Sequence, residues 1–193
     1  TFFKRRVIRL HPMVIMGSII GALFFFLQKS PCFPNMDNVS VGTVLIIMLY
    51  GCTLLPLPLK WDIRGWTEMH PLNGPAWSLY YEYIGNILYA LFVRKFNKVA
   101  LSILVFLAAC ATLHLCLTAP NGDIVGGWAL NWEQQYVGFV RLLYPFFAGL
   151  LLSRLGWLIR VKKRAFWWCS LMIVIVLSVP RIGGEDGFWM NGL

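Results

Sequence analysis

The chain has 193 residues, of which 59% are hydrophobic and only 13% charged, and it carries a formal net charge of +9. A mean hydropathy of +0.68 is far above what one water-soluble core of this size requires, which argues against a soluble domain. The positive charge does not indicate nucleic acid, because the basic residues form short clusters between apolar runs: Lys4/Arg5/Arg6/Arg9, Arg94/Lys95/Lys98 and Arg160/Lys162/Lys163/Arg164. That pattern marks cytoplasmic loops beside anionic headgroups, and the nine Trp, seven Tyr and fourteen Phe suit interfacial aromatic belts.

With the charges as punctuation, six apolar stretches follow in chain order: Val7 to Leu27, Val39 to Leu59, Ala76 to Val93, Val99 to Ala119, Val137 to Leu158 and Ala165 to Pro180. Each approaches the ~20 residues that span a bilayer core as helix. The predicted fold is all-α, a polytopic transmembrane helical bundle forming a single domain over residues 1–193, with no repeat or low-complexity tract. Strict alternation of six crossings would put Arg94/Lys95/Lys98 opposite the N-terminal basic cluster, against the positive-inside rule. The stretch Val39 to Leu59 carries Gly42, Gly51, Pro56 and Pro58, so it is predicted to be re-entrant or broken. The basic loops then share the cytoplasmic face, and the loops Lys60 to Pro75, Pro120 to Tyr136 and Arg181 to Trp189 face outward.

Three constellations carry chemistry. In the run Phe2 to Pro12, Arg5, Arg6 and Arg9 lie within one helical turn at the mouth of the first span. Guanidinium forks bind phosphate bidentately, so this run suits the phosphates of a nucleotide-like cofactor; the ordinary alternative is a positive-inside anchor. In Asn73 to Tyr83, a turn feeds a helix bearing Glu82, and a carboxylate at that depth normally faces the bundle interior or a water-filled cavity. Trp77 reads as an interfacial anchor and Ser78 as a residue of the helix start. Arg141 is the third, set in Val137 to Gly149. Counted from the outer face at about 1.5 Å per residue, Glu82 and Arg141 lie at depths of roughly 9 and 6 Å, which predicts a buried ion pair between them.

Among the histidines, His11 and His70 stand next to Pro and are expected to cap a helix or meet solvent. His114 lies well inside the fourth stretch, where a bond to a backbone carbonyl is expected. Cys32, Cys52, Cys110, Cys116 and Cys169 include no C-x-x-C pair and read as buried thiols, and no metal site is predicted.

Taken together, the basic run Phe2 to Pro12, the element Asn73-Gly74-Pro75-Ala76-Trp77-Ser78-Leu79-Tyr80-Tyr81-Glu82 and the segment Arg141 to Gly149 resemble the acyltransferase 3 family in order and spacing. The resemblance covers most of the chain, and Trp77-Ser78-Leu79 with Glu82 is its most specific part. It implies a membrane enzyme that moves an acyl group, commonly acetyl, from cytoplasmic acyl-CoA to a hydroxyl of a polysaccharide, lipopolysaccharide, peptidoglycan or related glycan. Arg5, Arg6 and Arg9 fall on the family's donor-handling motif; Trp77, Ser78 and Glu82 fall on its second motif, with Glu82 the candidate catalytic group of this chain. The implied donor is acyl-CoA, with no permanently bound cofactor, and the implied partners are membrane lipid and a carbohydrate acceptor.

The family's usual catalytic His lies in a transmembrane helix upstream of the basic run, and His11 stands where the family often has Tyr. The chain is therefore expected to be an internal segment of a longer protein, inactive on its own, from a bacterial inner membrane. A transporter or flippase segment would also suit a broken helix and buried charges, although no inverted repeat is present; a non-catalytic membrane subunit is the remaining alternative.

Overall fold

Apolar runs of this length can satisfy their backbone in lipid only as helix. The computed structural model describes residues 2–28, 33–119, 124–156 and 164–178, and these form six α-helices: α1 (Phe2–Phe24), α2 (Val41–Gly51), α3 (Ala76–Leu91), α4 (Lys98–Thr118), α5 (Trp132–Leu155) and α6 (Ala165–Ser178). No strand occurs among the described residues, only an isolated antiparallel bridge between Glu68 and Ala129. Three segments are long and apolar enough to cross a membrane, Lys4–Leu27, Lys98–Thr118 and Trp132–Leu155. The predicted all-α membrane bundle is the architecture found.

The chain divides into two compact units. The first comprises Thr1–Lys95 and Gly126–Leu142. In it α1 packs through small residues against α2 and against the segment that leads into α3. A Cβ at Gly21 would strike the Leu72 carbonyl, one at Gly17 would strike the Asn73 amide, and one at Gly51 would come within 3.2 Å of Ser18 Oγ. Small residues allow this close backbone approach, the usual device where lipid removes the hydrophobic drive between helices. One core gathers Phe25, Met36, Val44, Ile47, Leu57, Ile63 and Leu72, and a second gathers Val14, Leu54 and Ala76.

These contacts give the stretch Val39 to Leu59 its form. Ser40 caps α2, its Oγ accepting the Thr43 N–H at 3.1 Å. The helix then stops after 11 residues, about 16 Å and roughly half a bilayer core. Leu54 takes a left-handed φ of 62°, and its side chain meets Val14 near the middle of α1. The Leu57 N–H donates to Met69 O at 2.9 Å, while the Leu57 side chain joins the core of Phe25 and Ile47. The chain thus goes in as helix and returns as loop, as a broken segment must.

The helix α3 begins where that loop ends, beside the middle of α1 and not at its end. Ala76 packs on Val14 and Glu82 reaches Arg6, so α3 runs antiparallel to α1 toward the basic run. The loop before it is held by Asp62, whose carboxylate accepts the N–H groups of Arg64, Gly65 and Thr67 at 3.0, 2.8 and 2.8 Å. Burial raises the Glu68 carboxyl above its ordinary range, against the opposing pull of Arg64 at 3.3 Å.

The second unit comprises Phe96–Val125 and Leu143–Leu193. Asn97 caps α4, its Oδ1 accepting the Ala100 N–H at 2.8 Å, and Leu101 is fully buried. Most of the remaining face of α4 and of α6 is exposed and apolar, including Phe106, Leu113, Trp167, Trp168 and Met172, a surface suited to acyl chains. Cys110 and Cys169 lie on these exposed faces, contrary to the buried thiols predicted; a thiol is apolar enough to face lipid as readily as protein. Cys32 lies outside the described residues, as do Arg160, Lys162 and Lys163 of the last basic cluster.

Two boundaries also differ from the expectation. The helix α1 starts at Phe2 and not at Val7, so the basic run forms its first turns. The helix α5 starts at Trp132 and not at Val137, because Asn131 Oδ1 accepts the Gln134 N–H at 3.0 Å and caps it earlier.

Candidate functional site

Because α1 is helical from Phe2, Arg5 and Arg9 stand one turn apart on the same face and both are exposed. Arg6 points elsewhere, its Nη1 donating to Glu82 Oε1 of α3 at 3.4 Å, with each side chain about one third exposed (35% and 34%). The packing of α3 against α1 therefore joins the basic run to the acidic residue of the second motif, although 76 positions separate them.

One turn beyond Glu82, Asn86 is 2% exposed and donates from Nδ2 to the Glu82 carbonyl at 2.7 Å. Its Oδ1 and the Tyr83 hydroxyl are buried without a hydrogen-bond partner among the described residues. Buried acceptors and hydroxyls left open are costly. The pair and its neighbours offer guanidinium groups to an anion and a carboxylate that orients one of them.

The predicted Glu82 to Arg141 ion pair does not form. The Arg141 guanidinium lies over the Trp77 ring at 4.7 Å, and its Nη1 donates to Gly126 O at 2.9 Å. The expectation failed because depth was counted as if α3 began at the membrane surface. It begins beside Val14, which brings Glu82 level with Arg6. Gly126 and Gly127, with φ of 144° and 103°, fold the segment before α5 against Trp77. Gly138 leaves room for the Tyr81 ring, which a Cβ there would overlap. Ser78 is exposed and its Oγ donates to Pro75 O at 2.8 Å, closing the turn into α3. Trp77 and Arg141 thus brace the start of α3, while Glu82 belongs to the basic cluster.

His70 is the residue that sequence reasoning placed wrongly. It is 5% exposed, and its Nε2 lies 3.2 Å from Leu54 O, in the loop that returns from α2. Burial lowers its pKa, partly offset by the bond to Leu54. His11 is half-buried, and His114 lies within the span of α4 on its exposed side. Asn86 was not singled out either, although a polar residue four positions after an acidic one in an apolar run is a usable signal. Among the described residues, no group of three His, Cys, Asp or Glu could hold a metal ion.

No curated protein and no solved structure matches the chain. The family model of the acyltransferase domain, Acyl_transf_3, matches residues 1–192, so the match takes in the basic run, the Trp77 to Glu82 element and the Arg141 segment. On that match the chain belongs to the acyltransferase 3 family.

Proposed function

We propose that this chain serves a membrane-bound O-acyltransferase that moves an acyl group, acetyl in the simplest case, from acyl-CoA to a hydroxyl of a cell-envelope carbohydrate in a bacterial inner membrane. The observation that carries this reading is the Arg6–Glu82 pair at the mouth of α1, with Arg5 and Arg9 exposed beside it. Fixing one guanidinium leaves the other two to grip phosphate oxygens, and Arg suits that geometry better than a point charge. The donor's phosphates would lie against Arg5, Arg6 and Arg9, with Glu82 holding Arg6 in place. Glu82 is then a positioning residue, and Trp77, Ser78 and Arg141 keep α3 at the height that brings Glu82 to Arg6.

The test is transfer of radiolabelled acetyl from acetyl-CoA to envelope glycans in membranes carrying the full-length protein. Arg9→Ala and Glu82→Ala are compared with it at matched protein levels. Losing one charge-assisted contact predicts a fall of about 10- to 100-fold in each variant. An intact protein that transfers no acyl group to a broad panel of glycans overturns the reading.

A further inference from the structure

The loop that returns from α2 passes beside that helix and leaves a pocket of about 390 Å³, within the range of about 300–1,000 Å³ usual for small-molecule sites. Ile46 and Ile47 of α2 and Ile63 of the loop make its apolar side, while Thr43, Lys60 and Asp62 supply the polar groups. Ile47 and Ile63 also belong to the core of Phe25, the residue that follows α1. Phe24, the last residue of α1, stands 15 positions beyond Arg9, about 22 Å along the helix axis. The pocket therefore lies at the end of α1 opposite the basic run.

Trp61 lines the same pocket, between Lys60 and Asp62 in sequence. It is 42% exposed, and Tyr50 meets it in T-shaped geometry with ring centroids 6.2 Å apart. An aromatic face carries partial negative charge and attracts the polarised C–H groups of a sugar ring. Asp62 is fixed by the N–H groups of Arg64, Gly65 and Thr67, and a carboxylate accepts about four hydrogen bonds, so one position remains for a ligand hydroxyl. The Lys60 ammonium donates, and the Thr43 hydroxyl, 2.9 Å from Ser40 Oγ, keeps a lone pair. Lys60 and Asp62 have opposite charges, so the pocket does not gather positive charge as the basic run does. That balance favours a neutral polyol over a phosphate headgroup.

We infer that this pocket binds a sugar ring of the carbohydrate acceptor, stacked on Trp61 with its hydroxyls on Asp62, Lys60 and Thr43. The inference rests on the acyl-transfer reading for the ligand's role as acceptor, while the saccharide site itself stands on the pocket. The sugar and the donor phosphates at Arg5 and Arg9 then occupy opposite ends of α1, across most of the ~30 Å core of a bilayer. Acceptor affinity is therefore set by residues that do not touch the donor.

The experiment uses the full-length protein in lipid nanodiscs, with methyl β-D-glucoside, methyl β-D-galactoside and methyl N-acetyl-β-D-glucosaminide as probes and binding read by saturation-transfer NMR. At least one glycoside is expected to bind, about threefold or more weakly in Trp61→Ala and not detectably in Ile46→Trp. Ile46 is 57% exposed, so the larger side chain fills the pocket without entering the core. Acetyl transfer from acetyl-CoA to the glycoside that binds is then measured. The KM for the glycoside is expected to rise in Trp61→Ala with the KM for acetyl-CoA unchanged, and Arg9→Ala is expected to do the reverse. Glycoside binding that Ile46→Trp abolishes, without acetyl transfer in the wild type, defeats the acyl-transfer reading and upholds the saccharide site. A wild-type protein that binds none of the glycosides overturns the inference, as does binding within about twofold of wild type in both variants. Binding of glycerol 3-phosphate in place of the glycosides overturns it in favour of a lipid headgroup. Where Trp61→Ala fails to accumulate, Ile46→Trp decides alone.

Discussion

Arg6 and Glu82 show how far a single side chain's role depends on the helix across from it. Each is about one third exposed, so their pairing is of the partly screened kind. A double-mutant cycle of Arg6→Ala and Glu82→Ala, read by thermal unfolding in detergent, is expected to give a coupling of about 0.5–1 kcal/mol. The same cycle between Glu82 and Arg141 is expected to give none, because Arg141 is engaged by Trp77 and Gly126. His70 sets a pH dependence of its own. Its folded pKa lies below the ordinary 6.5, so as pH falls the unfolded chain takes up the proton before the folded one does. Its contribution to stability is complete above pH 6.5 and is lost progressively below that value. Unfolding temperatures at about pH 7.5 and about pH 5.5 should therefore separate more in the wild type than in His70→Gln. Glu68 has the opposite sign: with a pKa raised above 4.5, its contribution is present below that value and fades as pH rises through the folded pKa.

The helices were legible where local chemistry alone specifies them. Asn97 before α4 and Ser40 before α2 announce their caps, and Gly51 with Pro56 and Pro58 announces the break after α2. The start of α5 carries the same kind of signal, Asn131 followed three positions later by Gln134, ahead of the apolar run expected to open at Val137. Helix contacts were much less legible, because a glycine in an apolar run looks the same wherever it faces. Gly21→Ala drives a Cβ into the backbone carbonyl of Leu72, which cannot rotate away, and is expected to destabilise by about 1–3 kcal/mol. Gly149→Ala, with nothing within 4 Å of the added Cβ, is expected to be neutral or to gain up to about 1 kcal/mol from helix propensity. Unfolding of the two variants side by side checks both values; equal effects would contradict the α1 packing described.

Over the molecule as a whole, the antiparallel course of α3 against α1 places Lys60 and Lys95 at opposite ends of the first unit. Leu57 and Ile63 around Lys60 belong to the Phe25 core, whereas Lys95 follows α3 beyond Glu82. In the full-length protein with its native cysteines replaced, Lys60→Cys is expected to react with a membrane-impermeant maleimide from outside intact cells, and Lys95→Cys only after permeabilisation. Labelling of both from one side would overturn the return of the chain after α2. Composition and the order of apolar runs were enough to establish a helical membrane protein, because hydrocarbon demands long apolar helices. The family was legible from the motifs, whose residues lie within three short segments, Phe2 to Pro12, Asn73 to Glu82 and Arg141 to Gly149. The depth of each polar group was not written there. The starting height of α3 is fixed by the packing of Ala76 on Val14 and of Leu72 on Gly21, contacts between residues 50 and more positions apart. Those contacts join Glu82 to Arg6 and enclose His70, since burial is a property of what surrounds a side chain and not of its immediate neighbours along the chain.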